Sequence, residues 1–230
     1  MCYEGNNIKR EHKSEPYYTL SFEYEFREAF DTVYFAPSYP YTYTQLLYHM
    51  DGLLANREYQ NFLSIKLLCE TVGKNAVNLI SISTGKQAIK DSKIVWILAR
   101  QHPVETTSSF MVEGIINYLL QLMTAASRTG DSFLNNYIFK IVPMVNPDGV
   151  IHGNTRAELT GIDPNRAWKK THKSITPSTH FIKKQILKAR DETCLILDLH
   201  SHSKKLGCFF YGNYDSANVR NYRMLPSKIC

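Results

Sequence analysis

The sequence predicts an α/β fold: a mixed, largely parallel sheet with helices on both faces, preceded by the last strands of a β-domain. Three observations carry this. The runs KIVWILA (93–99), YIFKIVPMV (137–145) and CLILDLH (194–200) are almost continuously apolar, as strands covered on both faces are. Helical periodicity separates them, over about 106–124 and 177–191. Strands alternating with helices in this way build sheets with crossover helices.

In chain order, residues 1–16 are polar and charged and read as a mobile lead-in. YYTLSFEYEF (17–26) alternates with the period of a half-exposed strand, and FDTVYFA (30–36) is a second β-rich run. Two strands do not make an independent domain, so 1–38 is read as the lead-in and end of a β-domain, and 39–230 as the main domain. A turn at Pro37–Pro40 closes the first part. Leu46, Leu47, Met50, Leu53 and Leu54 recur at helical spacing between Thr42 and about Gln60. Residues 64–84 read as two paired strands around Gly73–Lys74–Asn75. After the strand 93–99, Phe110, Ile115, Ile116, Leu119 and Leu120 form the core stripe of a helix. The long polar segment 146–178 is expected to be a functional loop, because long irregular loops in compact domains usually are. A basic amphipathic helix, the strand 194–200 and a strand-like GCFFYG (207–212) complete the reading.

The chain has 230 residues, with 27 Lys+Arg against 21 Asp+Glu, a net +6 that is spread along the chain. That excess suits an acidic partner without calling for nucleic acid. Cys2, Cys69, Cys194, Cys208 and Cys230 are odd in number and include no CxxC pair; with no signal-like apolar run after Met1, reduced cytosolic thiols are expected. No stretch approaches the roughly 20 apolar residues of a membrane span.

Chemistry concentrates where the apolar strands end. His102 and Glu105 lie three residues apart just after KIVWILA, and His200 ends CLILDLH. Catalytic zinc often takes two histidines and one carboxylate, leaving a position for water. Ligands at the carboxyl ends of strands match the place where open α/β sheets bind them. H-x-x-E alone arises by chance, but a buried strand before each histidine favours a metal. His202 is the rival third ligand; His200 is preferred because it lies nearer the strand end. Asp198 shares its side, where it either orients a ligand or is an ordinary buried hydrogen-bonding carboxylate. Arg156 and Arg166 lie in the long loop beside Asn154 and Asn165, and an arginine fork can grip a carboxylate or a developing oxyanion. Lys169, Lys170 and Lys173 read as solvated surface charges.

Together, ARQHPVET, NPDGVIHGNTR, GIDPNRAW and DLHSHS resemble, in order and spacing, the signature blocks of zinc metallocarboxypeptidases, and within them the cytosolic carboxypeptidases that deglutamylate tubulin and other glutamate-rich tails. FDTVYFAPSYPYTYTQL is similar to that branch's junction between β-domain and catalytic domain, and the likeness runs from about Tyr17 to RMLPSKI near the end. The resemblance implies a carboxypeptidase-like sheet, one Zn2+ per chain held by His102, Glu105 and His200, and Arg156 polarising the scissile carbonyl. It implies Asn165 and Arg166 as the pair that holds the substrate's terminal carboxylate. It also implies a glutamate as general base, and that residue is expected beyond position 230, so the chain is read as cut at both ends. Val104, Thr155, Pro164 and Ser201 depart from the usual residues of these blocks.

What the resemblance implies about function is zinc-dependent removal of C-terminal or side-chain glutamates from acidic tails such as tubulin's. The implied setting is cytoplasmic, at microtubules or cilia, with neither membrane nor nucleic acid as partner. A non-catalytic chain that keeps zinc or tail binding is the alternative of a different class. An aspartoacylase-type amidohydrolase shares the H-x-x-E and His arrangement, but NPDGVIHGNTR and the tyrosines at 39–43 argue against it.

Overall fold

The computed structural model describes residues 2–9, 16–84, 92–130 and 133–212. The backbone divides into two compact units, Met1–Pro37 and Ser38–Cys230.

In the first unit, β1 (Cys2–Lys9) pairs antiparallel with β2 (Pro16–Ser21), Cys2 opposite Ser21. The lead-in expected at 1–16 is therefore partly strand: cross-strand pairing, not side-chain alternation, extends it. The run 30–36 forms no strand. Phe30 takes a left-handed φ of 64°, which breaks an extended chain. Phe35 instead packs its ring against Phe22 and Tyr24, at 5.0 and 5.6 Å between centroids.

The second unit opens with α1 (Tyr43–Ala55), started by a capping box in which Thr42 and Gln45 exchange side chain-to-backbone hydrogen bonds. Next come β3 (Leu63–Glu70) and β4 (Ala76–Ile82), antiparallel about the Gly73–Lys74–Asn75 turn as expected. β5 (Lys93–Ala99) leads into α2 (Thr106–Thr129), which runs five residues past the expected end until Gly130 closes it at φ 78°. β6 (Tyr137–Val142) follows. The long loop contains two short helices, α3 (Pro147–Ile151) and α4 (Pro164–Ala167), before α5 (Pro177–Lys188) and β7 (Thr193–Leu199).

The strand order is β3-β4-β6-β5-β7. β6, β5 and β7 are parallel neighbours, while β3 and β4 add two antiparallel pairings, so the sheet is mixed. Helices cover both faces. Leu46 and Met50 of α1 and Ile116 and Leu120 of α2 pack with Ile80, Ile97 and Ile141 on one side. Ile182 of α5 packs with Leu98, Val142 and Val77 on the other.

The chain leaves β5 for β6 on one side and later returns to β7 on the other. That reversal opens a crevice at the carboxyl end of β5, where open α/β sheets bind ligands. Every residue of β5 except Lys93 is buried, whereas β7 alternates between half-buried and exposed. The full cover expected for β7 is absent among the described residues: only its Leu195–Leu197–Leu199 side meets the core, and its other face has no helix packed on it there. GCFFYG is not a strand: Phe209 and Tyr211 pack on each other and around Lys205, with no strand beside them to pair with among the described residues. Cys69, Cys194 and Cys208 are free thiols. RMLPSKI, Cys230 and the side chain of Cys2 lie outside the described residues. No described helix is long and apolar enough to cross a membrane.

Candidate metal centre

His102 sits in the turn after β5, Glu105 directly before α2, and His200 immediately after β7. The parallel β5–β7 pairing sets Ala99 opposite Leu199, which brings the two ligand-bearing ends level. One ligand atom from each of the three residues lies within 4.8 Å of the others. The contacts show which atoms converge. His102 Nδ1 is 2.8 Å from Glu105 Oε1, and His200 Nδ1 is 2.9 Å from Glu105 Oε2.

The outer nitrogens face other carboxylates: His102 Nε2 is 3.1 Å from Asp163 Oδ1, and His200 Nε2 is 2.9 Å from Asp198 Oδ2. A carboxylate behind each histidine holds the outer N–H, so that the inner nitrogen, once it gives up its proton, can donate its lone pair to a metal, the arrangement that zinc histidines use. Two imidazoles, one carboxylate and a carboxylate behind each imidazole therefore fit a zinc ion. Burial works against charge at this site, yet hydrogen bonds outweigh it. His102, His200 and the Ser201 N–H hold the Glu105 carboxyl down at about 2, while Asp198 and Glu105 push His200 up to about 9.

The ligand turn is built tightly. Arg100 takes a left-handed φ of 55° and is 3% exposed; its N–H donates to Ser108 Oγ, which in turn donates to the Glu105 carbonyl. Burial lowers this guanidinium to about 10, so it stays charged at neutral pH. Val104 has no left-handed backbone, so it takes the place of the usual glycine without strain.

The long loop docks on this turn. Val104 N–H donates to Thr155 O, Asn146 Nδ2 to Gln101 O, and Asn146 N–H to Arg100 O. A Cβ on Gly149 would come within 2.5 Å of Pro103 Cγ and 2.8 Å of Ala157 O, so only glycine permits this approach. Asp148 anchors the loop from behind, accepting from Thr71 Oγ1, Gly73 N–H and Asn75 Nδ2.

Arg156 donates from Nε to Asp163 Oδ2 at 2.5 Å, so one carboxylate joins the arginine to His102. Asp163 also caps α4 through Asn165 N–H, and Pro164 occupies the first helical position, where its missing donor costs nothing. Asn165 Nδ2 lies 3.4 Å from His200 Nε2; Arg166 is exposed and donates to the Asn165 carbonyl. The structure thus gathers Arg156 and Asn165 at the cluster and leaves Arg166 beside them in solvent. His202 stays outside, its Nδ1 accepting from the N–H groups of Lys204 and Lys205. Of the two roles open to Asp198, the contact to His200 Nε2 is the one seen, with Gln101 Nε2 donating to the same Oδ2.

The residues that sequence reasoning missed are Asp163, Gln101 and Arg100. Asp163 had a faint signal, an aspartate before Pro at a helix start; the other two had none.

The comparisons agree with this geometry. The zinc carboxypeptidase family matches residues 50–228. The chain is 35% identical over 229 residues to cytosolic carboxypeptidase 1 of Danio rerio, covering 92% of this chain and 20% of that protein. It is 37% identical over 213 residues to cytosolic carboxypeptidase 3 of Mus musculus, covering 91% and 21%. It therefore spans about a fifth of the length of these relatives. Among solved structures, a metallo-carboxypeptidase from Burkholderia cenocepacia superposes with TM-score 0.59 at 26% identity, over 71% of this chain and 42% of that one. Carboxypeptidase A of Helicoverpa armigera, at 20% identity, shares the fold with TM-score 0.62 over 82% and 52%. Motif order, ligand geometry and family match lead to one assignment: the chain belongs to the zinc carboxypeptidase family, on the branch of the cytosolic carboxypeptidases.

Proposed function

We propose that this chain carries the metal-binding and carboxylate-gripping part of a zinc metallocarboxypeptidase that removes glutamates, C-terminal or side-chain, from acidic protein tails such as those of tubulin. The observation that carries the reading is the convergence of His102 Nδ1, Glu105 and His200 Nδ1, with Arg156 tied to the same cluster through Asp163. Zinc bound there would polarise a carbonyl and bring the pKa of a bound water down to about 7.

The chain's own residues supply the rest. His102 and His200 each present one nitrogen inward because a carboxylate holds the other. Asp163 takes the Nε–H of Arg156, so the half-exposed guanidinium is aimed while its other nitrogens keep donors for a substrate oxygen. Asn165 and the exposed Arg166 offer neutral and charged donors side by side, which suits a terminal carboxylate. The +6 net charge and the exposed Lys169, Lys170 and Lys173 favour an acidic tail over a basic one. The word cytosolic in the relatives' names supports a cytoplasmic setting; acting on a tubulin tail, the enzyme would work at microtubules or cilia.

Metal analysis beside an amino-acid release assay tests this, on the chain and on a version extended at both ends. One zinc per chain, with glutamate released from glutamate-ended peptides by the extended version, is the expected result. Absence of zinc, or faster release of neutral or basic residues, overturns the proposal. Zinc binding with tail affinity but no turnover in either version would support the non-catalytic alternative instead.

A further inference from the structure

We infer that Arg100 is a positioning residue for the metal, a guanidinium clamp that sets the separation between His102 and Glu105. Its Nε donates to Pro103 O at 2.8 Å and its Nη1 to Ser109 Oγ at 2.8 Å. Pro103 lies between the two ligands, and Ser109 lies on α2 one turn after Glu105. The clamp therefore spans Glu105, tying the turn before it to the helix after it.

Two further features separate this from ordinary core packing. Arg100 is 3% exposed yet makes no ion pair among the described residues, although an unpaired buried cation is costly. Glu105 acts on its charge through space, with no direct pair between them. A direct pair with Glu105 would occupy a carboxylate oxygen, and both of those face the imidazoles. Arg100 thus clamps the turn without competing for the ligand's metal-facing atoms. Second, both acceptors are oxygens held by rigid neighbours: Ser109 is 1% exposed inside the first turn of α2, and Pro103 fixes the backbone of the turn. The planar fork can reach both at once, which a lysine ammonium cannot.

The inference rests on the zinc reading above, and the experiment keeps the two apart. Zinc release to a chelator, the visible spectrum of the cobalt-substituted protein, and the melting temperature without metal are measured for wild type, Arg100→Met, Arg100→Lys, Ser109→Ala and Arg100→Met/Ser109→Ala. Arg100→Met is expected to weaken metal affinity about 10–100-fold, in the range of other groups that orient ligands. Arg100→Lys should recover part of that loss. Ser109→Ala is nearly isosteric and should fold; it should release zinc faster and shift the cobalt spectrum while the metal-free melting temperature stays within a few degrees. The double variant should be no worse than Arg100→Met alone, because both changes break one clamp. Zinc held by wild type but released at the same rate by Arg100→Met and Ser109→Ala overturns the positioning role alone. Losses that add in the double variant, or that follow the metal-free melting temperature, overturn it as well. A wild type that binds no zinc overturns both readings.

Discussion

The two histidines of the candidate metal centre come from ends of the sheet that differ in almost every physical respect. His102 follows β5, a central strand paired on both sides and buried on both faces, and its own side chain is 4% exposed. His200 follows β7, which among the described residues pairs only with β5 and turns alternate residues to solvent, and its side chain is 23% exposed. On the β5 side, Arg100, Ser108 and the docked loop fix the turn independently of any metal. On the β7 side the ligand is held by hydrogen bonds to Glu105 and Asp198, with Asn165 Nδ2 3.4 Å from the same outer ring nitrogen. One half of the site is preorganised by packing, the other mainly by polar contacts with the first.

Predictions follow from that asymmetry, beginning with the strongest. His102→Ala removes a ligand that nothing else can replace, and should lower zinc affinity beyond the roughly 100-fold seen when only an outer partner is lost. Isothermal titration would show it, and unchanged affinity would remove His102 from the site. Ile116→Ala, at a fully buried position of α2 on the core that covers β5, should cost about 2–5 kcal/mol in urea unfolding. Ile196→Ala, on the open face of β7 and 48% exposed, should cost roughly 0.5 kcal/mol or less. Equal costs would erase the contrast between the two ends.

Asp163→Asn should weaken zinc binding by about 10–100-fold, and more than Asp198→Asn, because Asp163 also holds Arg156. A chelator competition assay ranks the two, and the opposite order would show that the β7 side carries more of the affinity. A pH dependence in the loop itself lies outside the contrast between the two ends. Glu158 is 6% exposed between Arg156 and Asp163, and its Oε1 has no hydrogen-bond partner among the described residues. Burial, and then the charge on Asp148, push its carboxyl up from 4.5 to about 7. The folded state then holds a proton that the unfolded state has lost. Its contribution is complete below pH 4.5 and disappears as pH rises to about 7, with roughly 3 kcal/mol as the upper bound. Glu158→Gln should flatten that slope in unfolding curves taken across the window. A slope that persists in the variant assigns the effect to another group.

Much of the site could be read before any coordinates. His102, Glu105 and His200 stand at ends of apolar strands, and strand ends are visible in hydrophobic runs. The paired strands around Gly73–Lys74–Asn75 and the helices α1, α2 and α5 carry period signals long enough to survive their context. Where reading failed, no periodicity existed to be read. β1 is polar and becomes a strand by pairing with β2. FDTVYFA and GCFFYG have β-rich composition, but their aromatic rings find one another or a lysine, and no strand pairs with them among the described residues. Asp163 and Arg100 act through a few directed hydrogen bonds, which leave no repeating trace in a sequence.

The sequence by itself determined which segments bury a face and which residue types wait at their ends, because burial and periodicity are local properties of side-chain order. The tertiary structure alone decided that β5 lies between β6 and β7, and that Glu105 meets a histidine 95 residues away. It also decided that one aspartate serves both His102 and Arg156. Those are matters of strand order, register and the direction of single hydrogen bonds, which arise only once distant parts of the chain are packed together.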